Sequence, residues 1–264
     1  MLQRLLLVMF VAIAALIVID LNMRSRASAA VAADSAQAVL VAETVAPPRR
    51  AAVEIMPGTL GPPAGTPTID LRARLVVRQR IAREGSRVYL DSLLSATDST
   101  LVRWPDRADR TITVGFIRDS TLVGWDAAAV EDARAAVQAW SSNGAGLTLR
   151  LVADSSAADI KIRWVTVLDT TRTGLTQVTW SAAGDIQAAT VSLALRQGRD
   201  STVIPAFGRR RVALHEIGHA LGLPHSARDS DAMFPSSPQN TPSGRDQATL
   251  QLLYAVPAGP LRTP

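Results

Sequence analysis

The chain has 264 residues, 47% of them apolar, which is enough to bury a core in one or two domains. Its formal net charge is +5, but the arginines are scattered and no basic stripe with interleaved aromatic residues occurs, so no nucleic-acid partner is expected. There is no cysteine, and this excludes disulfides, thiolate metal ligands and a cysteine nucleophile.

A basic N-terminus precedes an uninterrupted apolar run from Leu5 to Ile19, which ends at Asp20. The run is long for the core of a signal peptide and short for the ~20 residues that span a bilayer. Residues 1–26 are therefore predicted to be either a signal peptide or an N-terminal membrane anchor. Both alternatives make the protein extracytoplasmic, secreted or anchored, with membrane contact through this segment alone.

Residues 27–68 are rich in Ala, Pro, Gly and Thr and show no apolar period, which is typical of a linker. Within residues 69–104, leucines at 90, 93, 94 and 101 fall near helical spacing. We interpret this stretch as either a pro-segment or the start of the catalytic domain, which is assigned to residues 105–258.

The catalytic region alternates between patterns of period 2 and patterns of helical period. A helix with an acidic start is predicted from Asp126 to Trp140. Strands are predicted at Thr111–Arg118, Leu147–Val152, Ile160–Val165, Gly174–Trp180 and Ile186–Leu195. This order predicts an α+β domain built on one twisted, mixed, five-stranded sheet.

A second helix is predicted from Arg209 to Leu221, and its buried face is predicted to consist of Leu214, Ile217, Gly218 and Leu221. Beside that face, His215 and His219 stand four residues apart, so their imidazoles stack one turn apart and reach a single ion. Glu216 is rotated by about 100° from His215, which places it beside the metal without making it a ligand.

Gly222 follows the helix, where a positive φ would turn the chain and bring His225 back as the third metal ligand. The fourth position of a tetrahedral zinc would then remain for water, as in catalytic sites. Such a site acidifies the water, and Glu216 is predicted to accept its proton as the general base. These three histidines are the only ones in the chain, which makes a chance HExxH helix a weak alternative.

With the extended motif HEIGHALGLPH, from His215 to His225, the chain resembles the metzincin zinc metallopeptidases. Met233 lies where that clan has its methionine turn. Ser226 and the sequence Met233-Phe234-Pro235 are similar to the matrixins, the group that includes the matrix metalloproteinases.

The resemblance implies a metzincin-like fold, with an active-site helix and a C-terminal subdomain that contains the methionine turn and a closing helix. That helix would run from Ser243 to Tyr254, with Ser243 and Asp246 as a capping pair. Gly174–Trp180 would be the edge strand that pairs with an extended substrate, and residues 234–242 would wall a substrate pocket. Arg211 either reaches the base of that pocket or is a solvated helix arginine.

Three departures from the matrixin pattern are visible. No cysteine exists to act as a pro-segment latch, and no histidine remains for a second, structural zinc. The acidic pair usual near the start of the closing helix is reduced to Asp246, beside Arg245. The sequence does not decide whether calcium sites are present. Aspartates such as Asp169 and Asp185 are no evidence for them, because loop aspartates more often form turns.

The leading hypothesis is a zinc-dependent endopeptidase that acts on proteins or peptides, with one catalytic zinc ion and a monomer as the default state. Two alternatives remain at this stage. One is a catalytically silent, membrane-tethered zinc-binding interaction module, although such a module has no need of Glu216. The other is a zinc amide hydrolase with a non-protein substrate.

Overall fold

The computed structural model describes residues 71–97, 99–106, 111–142, 147–169, 172–198 and 201–261. The apolar N-terminal segment and the linker at 27–68 lie outside these residues, so the interpretations made of them remain predictions. Across the described ranges, none of the helices combines the length and the apolar character that crossing a membrane requires.

The described elements include the predicted helices and strands, in the predicted order, together with further elements that were not predicted. The helices are α1 (Leu71–Glu84), α2 (Leu90–Ala96), α3 (Ala128–Ser141), α4 (Ala206–Ala220) and α5 (Gly244–Ala255), and a short 3-10 turn covers Gly85–Arg87. The strands are β1 (Thr100–Leu101), β2 (Thr111–Ile117), β3 (Thr148–Val152), β4 (Ile160–Val165), β5 (Gly174–Trp180), β6 (Ile186–Ala194), β7 (Arg196–Gln197), β8 (Thr202–Val203) and β9 (Gly259–Pro260).

The central sheet has five strands in the order β3-β2-β4-β6-β5. The first four are parallel, and β5 runs antiparallel to β6 at one edge. The five predicted strands are thus confirmed, with ends within a residue of those observed, because period-2 alternation marks a strand with one buried face. The structure is α+β with a mixed sheet, as expected.

Helices α3 and α4 pack against each other and against the sheet, and α4 contacts both β5 and β6. The Trp140 indole N–H donates to the carbonyl of Leu214 at 2.8 Å. At the start of α4, Arg209 reaches the buried carboxylate of Asp132 at 2.9 Å. These two contacts lock α4 to α3, and α4 carries the HExxH residues alongside the edge strand.

The segment before Pro105 departs from the expected pattern. Helix α1 was not predicted, because among its side chains that the structure describes the buried apolar ones are Val77 and Ile81, set among mostly exposed arginines. Leu101 lies in β1, which pairs with β9, and not in a helix. Trp104 is buried and its indole N–H donates to the carbonyl of Ala220 at 2.9 Å, so this segment shares the core of the catalytic region.

Helix α5 begins as predicted. Ser243 is its N-cap, and the Ser243 hydroxyl and the Asp246 carboxylate exchange hydrogen bonds with each other's backbone N–H groups in a capping box. The buried Tyr254 hydroxyl donates to the carbonyl of Leu221 at 3.0 Å. The closing helix is therefore fixed against the end of α4.

Gly222 makes the turn that follows α4, with φ of +92° as predicted. A Cβ at this position would lie 2.6 Å from the carbonyl oxygen of Val102, which is closer than real Cβ contacts allow. Glycine is therefore required twice, by the left-handed backbone and by the close approach of the N-terminal segment.

Gly222→Ala is expected to lower the free energy of unfolding by more than the ~1–3 kcal/mol of left-handed strain alone, measured by urea denaturation. Gly198→Ala is the matched control, because Gly198 also has a positive φ (+72°) but open space around its Cβ position. Equal losses for the two variants would show that the contact with Val102 does not matter.

Candidate metal centre and active site

The three histidines of the extended motif converge in space. Their Nε2 atoms lie 3.1 Å apart for His215 and His219, 3.1 Å for His219 and His225, and 3.2 Å for His225 and His215. Helix α4 supplies the first two, and the turn at Gly222 returns the third. Among the described residues, this trio is the one His/Cys/Asp/Glu group able to hold a metal ion.

The tautomers of His215 and His219 follow from the hydrogen bonds of their Nδ1 atoms. Nδ1 of His215 donates to the carbonyl of Ala232 at 2.9 Å, and Nδ1 of His219 donates to the carbonyl of Leu223 at 2.8 Å. A carbonyl oxygen can only accept, so in the neutral rings the proton resides on Nδ1 and a lone pair on Nε2. The Nε2 atoms of His215 and His219 therefore face each other as two acceptors.

The spacing of the three Nε2 atoms fits zinc. Tetrahedral coordination at ~2.0–2.1 Å from each nitrogen places the nitrogens roughly 3.3 Å apart, close to the observed distances. The backbone carbonyls behind His215 and His219 are the outer partners that metal-ligating histidines normally have. The donor set and its orientation therefore suit a site with three protein ligands.

Glu216 is buried between α4 and the edge strand. The hydroxyl of Thr176, on β5, lies 2.6 Å from Oε2 of Glu216 and 2.9 Å from its backbone carbonyl, both acceptors. A Cβ at Gly174, also on β5, would lie 2.4 Å from Oε1 of Glu216. Glycine at 174 thus makes room for the carboxylate, and threonine at 176 orients it.

Met233 lies fully buried next to α4. A Cβ at Gly218 would lie 2.2 Å from the Met233 sulfur, so the glycine is needed for this close contact. The backbone N–H of Ser226, directly after His225, donates to the carbonyl of Met233 at 2.9 Å. This hydrogen bond holds the Met233 segment against the loop that carries His225.

Asp231 anchors the same segment from within. It is buried, and it accepts from the hydroxyls of Ser226 and Ser243 and, at 2.6 Å, from the guanidinium of Arg245. Burial alone would raise the pKa of Asp231, but these donors and the charge of Arg245 outweigh it and lower the pKa below its usual value. The Asp231 carboxylate therefore stays ionised.

Arg211 lies one turn before His215 with its guanidinium 4.4 Å from the centre of the Phe207 ring. Its Nε atom is buried and has no hydrogen-bond partner. The stacking on Phe207 accounts for the position of the side chain, and whether it also reaches a substrate pocket stays a prediction.

Sequence reasoning identified the histidines and Glu216 but missed Gly174, Thr176 and the partners of Asp231. The positions 174 and 176 share one face of β5, since strand residues alternate. The sequence does not show which face of β5 meets α4, so the alternation alone could not assign them to Glu216.

The comparisons with known proteins agree with this geometry. The matrixin family of peptidases matches residues 103–255, more than half of the chain. No curated protein matches the chain. The family is zinc-dependent, which accords with the three converging imidazoles.

The metal-free protein is expected to lose stability in mild acid. Burial, and then the nearby charge of His215, lower the pKa of His225 to about 3. The unfolded chain takes up this proton near pH 6.5, so between pH 6.5 and 3 the unfolded state binds more protons than the folded state. The free energy of unfolding therefore decreases as the pH is lowered through this range.

Urea denaturation in chelator at pH 7 and pH 5 measures this effect. We expect His225→Gln to remove on the order of 2 kcal/mol of the difference between the two pH values. An unchanged difference in the variant would mean that His225 is not held as a neutral ring.

Proposed function

This chain belongs to the matrixin family, and we propose that it is an endopeptidase that cleaves peptide bonds of proteins or peptides with Glu216 as the general base. Family membership implies zinc-dependent endopeptidase activity in general. The observation that carries the finer proposal is the burial of Glu216, which follows His215 directly on the helix that supplies two of the three converging imidazoles.

In this proposal His215, His219 and His225 hold one zinc ion. The ion, when bound, supplies a Lewis acid that acidifies water and polarises a carbonyl. Glu216 accepts the proton of the attacking water and passes it to the amine that leaves. Its burial suits this role, because a carboxylate screened from bulk water exchanges protons with the reacting groups and not with solvent.

The substrate is proposed to lie along β5. This strand forms the edge of the sheet beside α4, and an edge strand can pair with an extended peptide through backbone hydrogen bonds. Residues 234–242 are proposed to wall the pocket for the side chain that follows the scissile bond. We propose Met233 as the methionine turn, supported by its burial against Gly218.

We also propose an extracytoplasmic location, supported by the apolar run from Leu5 to Ile19. Mass spectrometry of the N-terminus of the exported protein distinguishes a cleaved signal peptide from an uncleaved anchor. Recovery of the protein in the cytoplasmic fraction would contradict both.

Two variants separate metal binding from catalysis. His219→Ala should lose stoichiometric zinc, measured by elemental analysis, and with it all cleavage. Glu216→Ala should keep zinc but lose cleavage of a proteome-derived peptide library by at least about 100-fold, the low end of a general base's usual contribution. Cleavage by Glu216→Ala at the parent rate would refute the mechanism.

The same library, read with and without chelator, also tests the two other functions considered. Chelator-sensitive peptide cleavage excludes a silent binding module. Zinc binding without any peptide cleavage in the parent would favour that module or a hydrolase of non-protein amides.

Thr176→Val should lower kcat about 10-fold, because it removes a hydrogen bond to a charged group, typically ~1.5–3 kcal/mol, while KM stays close to the parent value. The backbone of β5, which is proposed to bind substrate, is unchanged. Thr179→Val on the same strand is the matched control, since Thr179 is exposed. Similar kcat losses in both variants would assign the effect to the strand and not to the Thr176 hydroxyl.

A further inference from the structure

The N-terminal segment before the family match contacts the closing helix through Tyr89. This buried side chain donates its hydroxyl to Oδ1 of Asp246 at 2.6 Å. Its backbone N–H donates to the hydroxyl of Thr249 at 3.3 Å. Burial, and then the negative charge of Asp246, raise the pKa of Tyr89 well above its ordinary value, so the hydroxyl keeps its proton and remains a donor.

The opposite oxygen of Asp246 faces the metal centre. Oδ2 accepts from the backbone N–H of Ala232 at 2.7 Å, and the carbonyl of the same Ala232 accepts from Nδ1 of His215 at 2.9 Å. Tyr89 is thus connected to a proposed zinc ligand through one carboxylate and one backbone residue. The connection consists of direct hydrogen bonds.

We infer that Tyr89 is a positioning residue for the metal centre, acting on His215 through Asp246 and Ala232. Asp246 is fully buried, so water has no access to replace the Tyr89 hydroxyl on Oδ1. Without that donor the carboxylate is held only through Oδ2, by the backbone N–H groups of Ala232 and Ser243, and any shift of the carboxylate moves Ala232 with it. The orientation of His215 and the basicity of its Nε2 both depend on the carbonyl of Ala232.

A second contact holds the same segment in place. The guanidinium of Arg245 lies 4.9 Å from the centre of the Tyr89 ring and donates to the carbonyls of Ser86 and Val88 at 2.9 and 3.1 Å. Arg245 stands where matrixins usually have an acidic residue. Here its guanidinium ties the backbone at Ser86 and Val88 to the closing helix and also donates to Asp231.

These contacts help to decide whether residues 69–104 are a pro-segment or the start of the catalytic domain. A removable pro-segment would take Tyr89 away from Asp246 and leave a buried carboxylate one donor short. The inference therefore favours the start of the catalytic domain. Tyr89 lies outside residues 103–255, which the family match covers. The contact that it makes with Asp246 therefore comes from a segment that precedes the matched domain.

The test is the zinc affinity of the full chain, stripped of metal and titrated with Zn²⁺ against a fluorescent chelator. Tyr89→Phe should weaken zinc binding about 3–10-fold, at or below the low end of the 10–100-fold typical of direct outer partners, because it acts through one more link. The absorption spectrum of the Co²⁺-substituted protein should change with it, since this spectrum reports ligand geometry.

Tyr254→Phe is the matched control, because it removes the buried hydroxyl of the chain's other tyrosine. That hydroxyl donates to Leu221 and not to a residue that holds a histidine ligand. Its zinc affinity should stay within twofold of the parent, whatever stability it loses. Equal weakening in the two variants would reduce Tyr89 to a general stabilising residue.

Thr249→Val is a second variant in case Tyr89→Phe does not fold, which circular dichroism reports. It removes the acceptor of the Tyr89 backbone N–H, and a weaker zinc affinity is expected there too. Parental zinc affinity and Co²⁺ spectrum in the folded variants would overturn the inference. The inference rests on the proposed zinc site, and failure of that site is distinguishable because the parent itself would then not bind zinc.

Discussion

The convergence of three imidazole rings on one point is the constraint on which the rest of the structure depends. Two Nε2 atoms with their protons displaced to Nδ1 lie 3.1 Å apart, and a third imidazole nitrogen lies 3.1–3.2 Å from both. Three ring nitrogens converge in this way only when the surrounding fold fixes the orientation of each ring. The folded chain therefore has to supply rigidity at every ring.

That rigidity comes from elements distant in sequence. Helix α4 is locked to α3 through Trp140 and Asp132, and it places His215 and His219 one turn apart with their rings edge to face. The turn at Gly222 lies against the carbonyl of Val102, from the N-terminal segment, and leaves no room there for a Cβ. The carbonyl of Ala232 orients His215, and Asp246 holds Ala232 from the closing helix. The metal centre is thus built by the whole domain.

Within the candidate site, the proposed base and the proposed metal ligands contact different parts of the fold. Glu216 is one residue from His215, a proposed zinc ligand, and its carboxylate contacts Thr176 and Gly174 of β5. In the proposals made above, Thr176 orients the base, and Tyr89 acts on the metal site through Asp246 and Ala232. The three histidines of the candidate site are the only ones in the sequence, and the sequence has no cysteine.

The sequence by itself determined the local features: the strands of the sheet, helix α4 and its buried face, the positive φ of Gly222 and the capping box of α5. Each depends on periodicity or on the steric freedom of one residue, and both are legible along the chain. Only the tertiary structure decided that Thr176 meets Glu216 and that Tyr89 reaches Asp246, 157 positions away. Such pairs depend on which faces of separate elements meet, and packing of the whole core sets that choice.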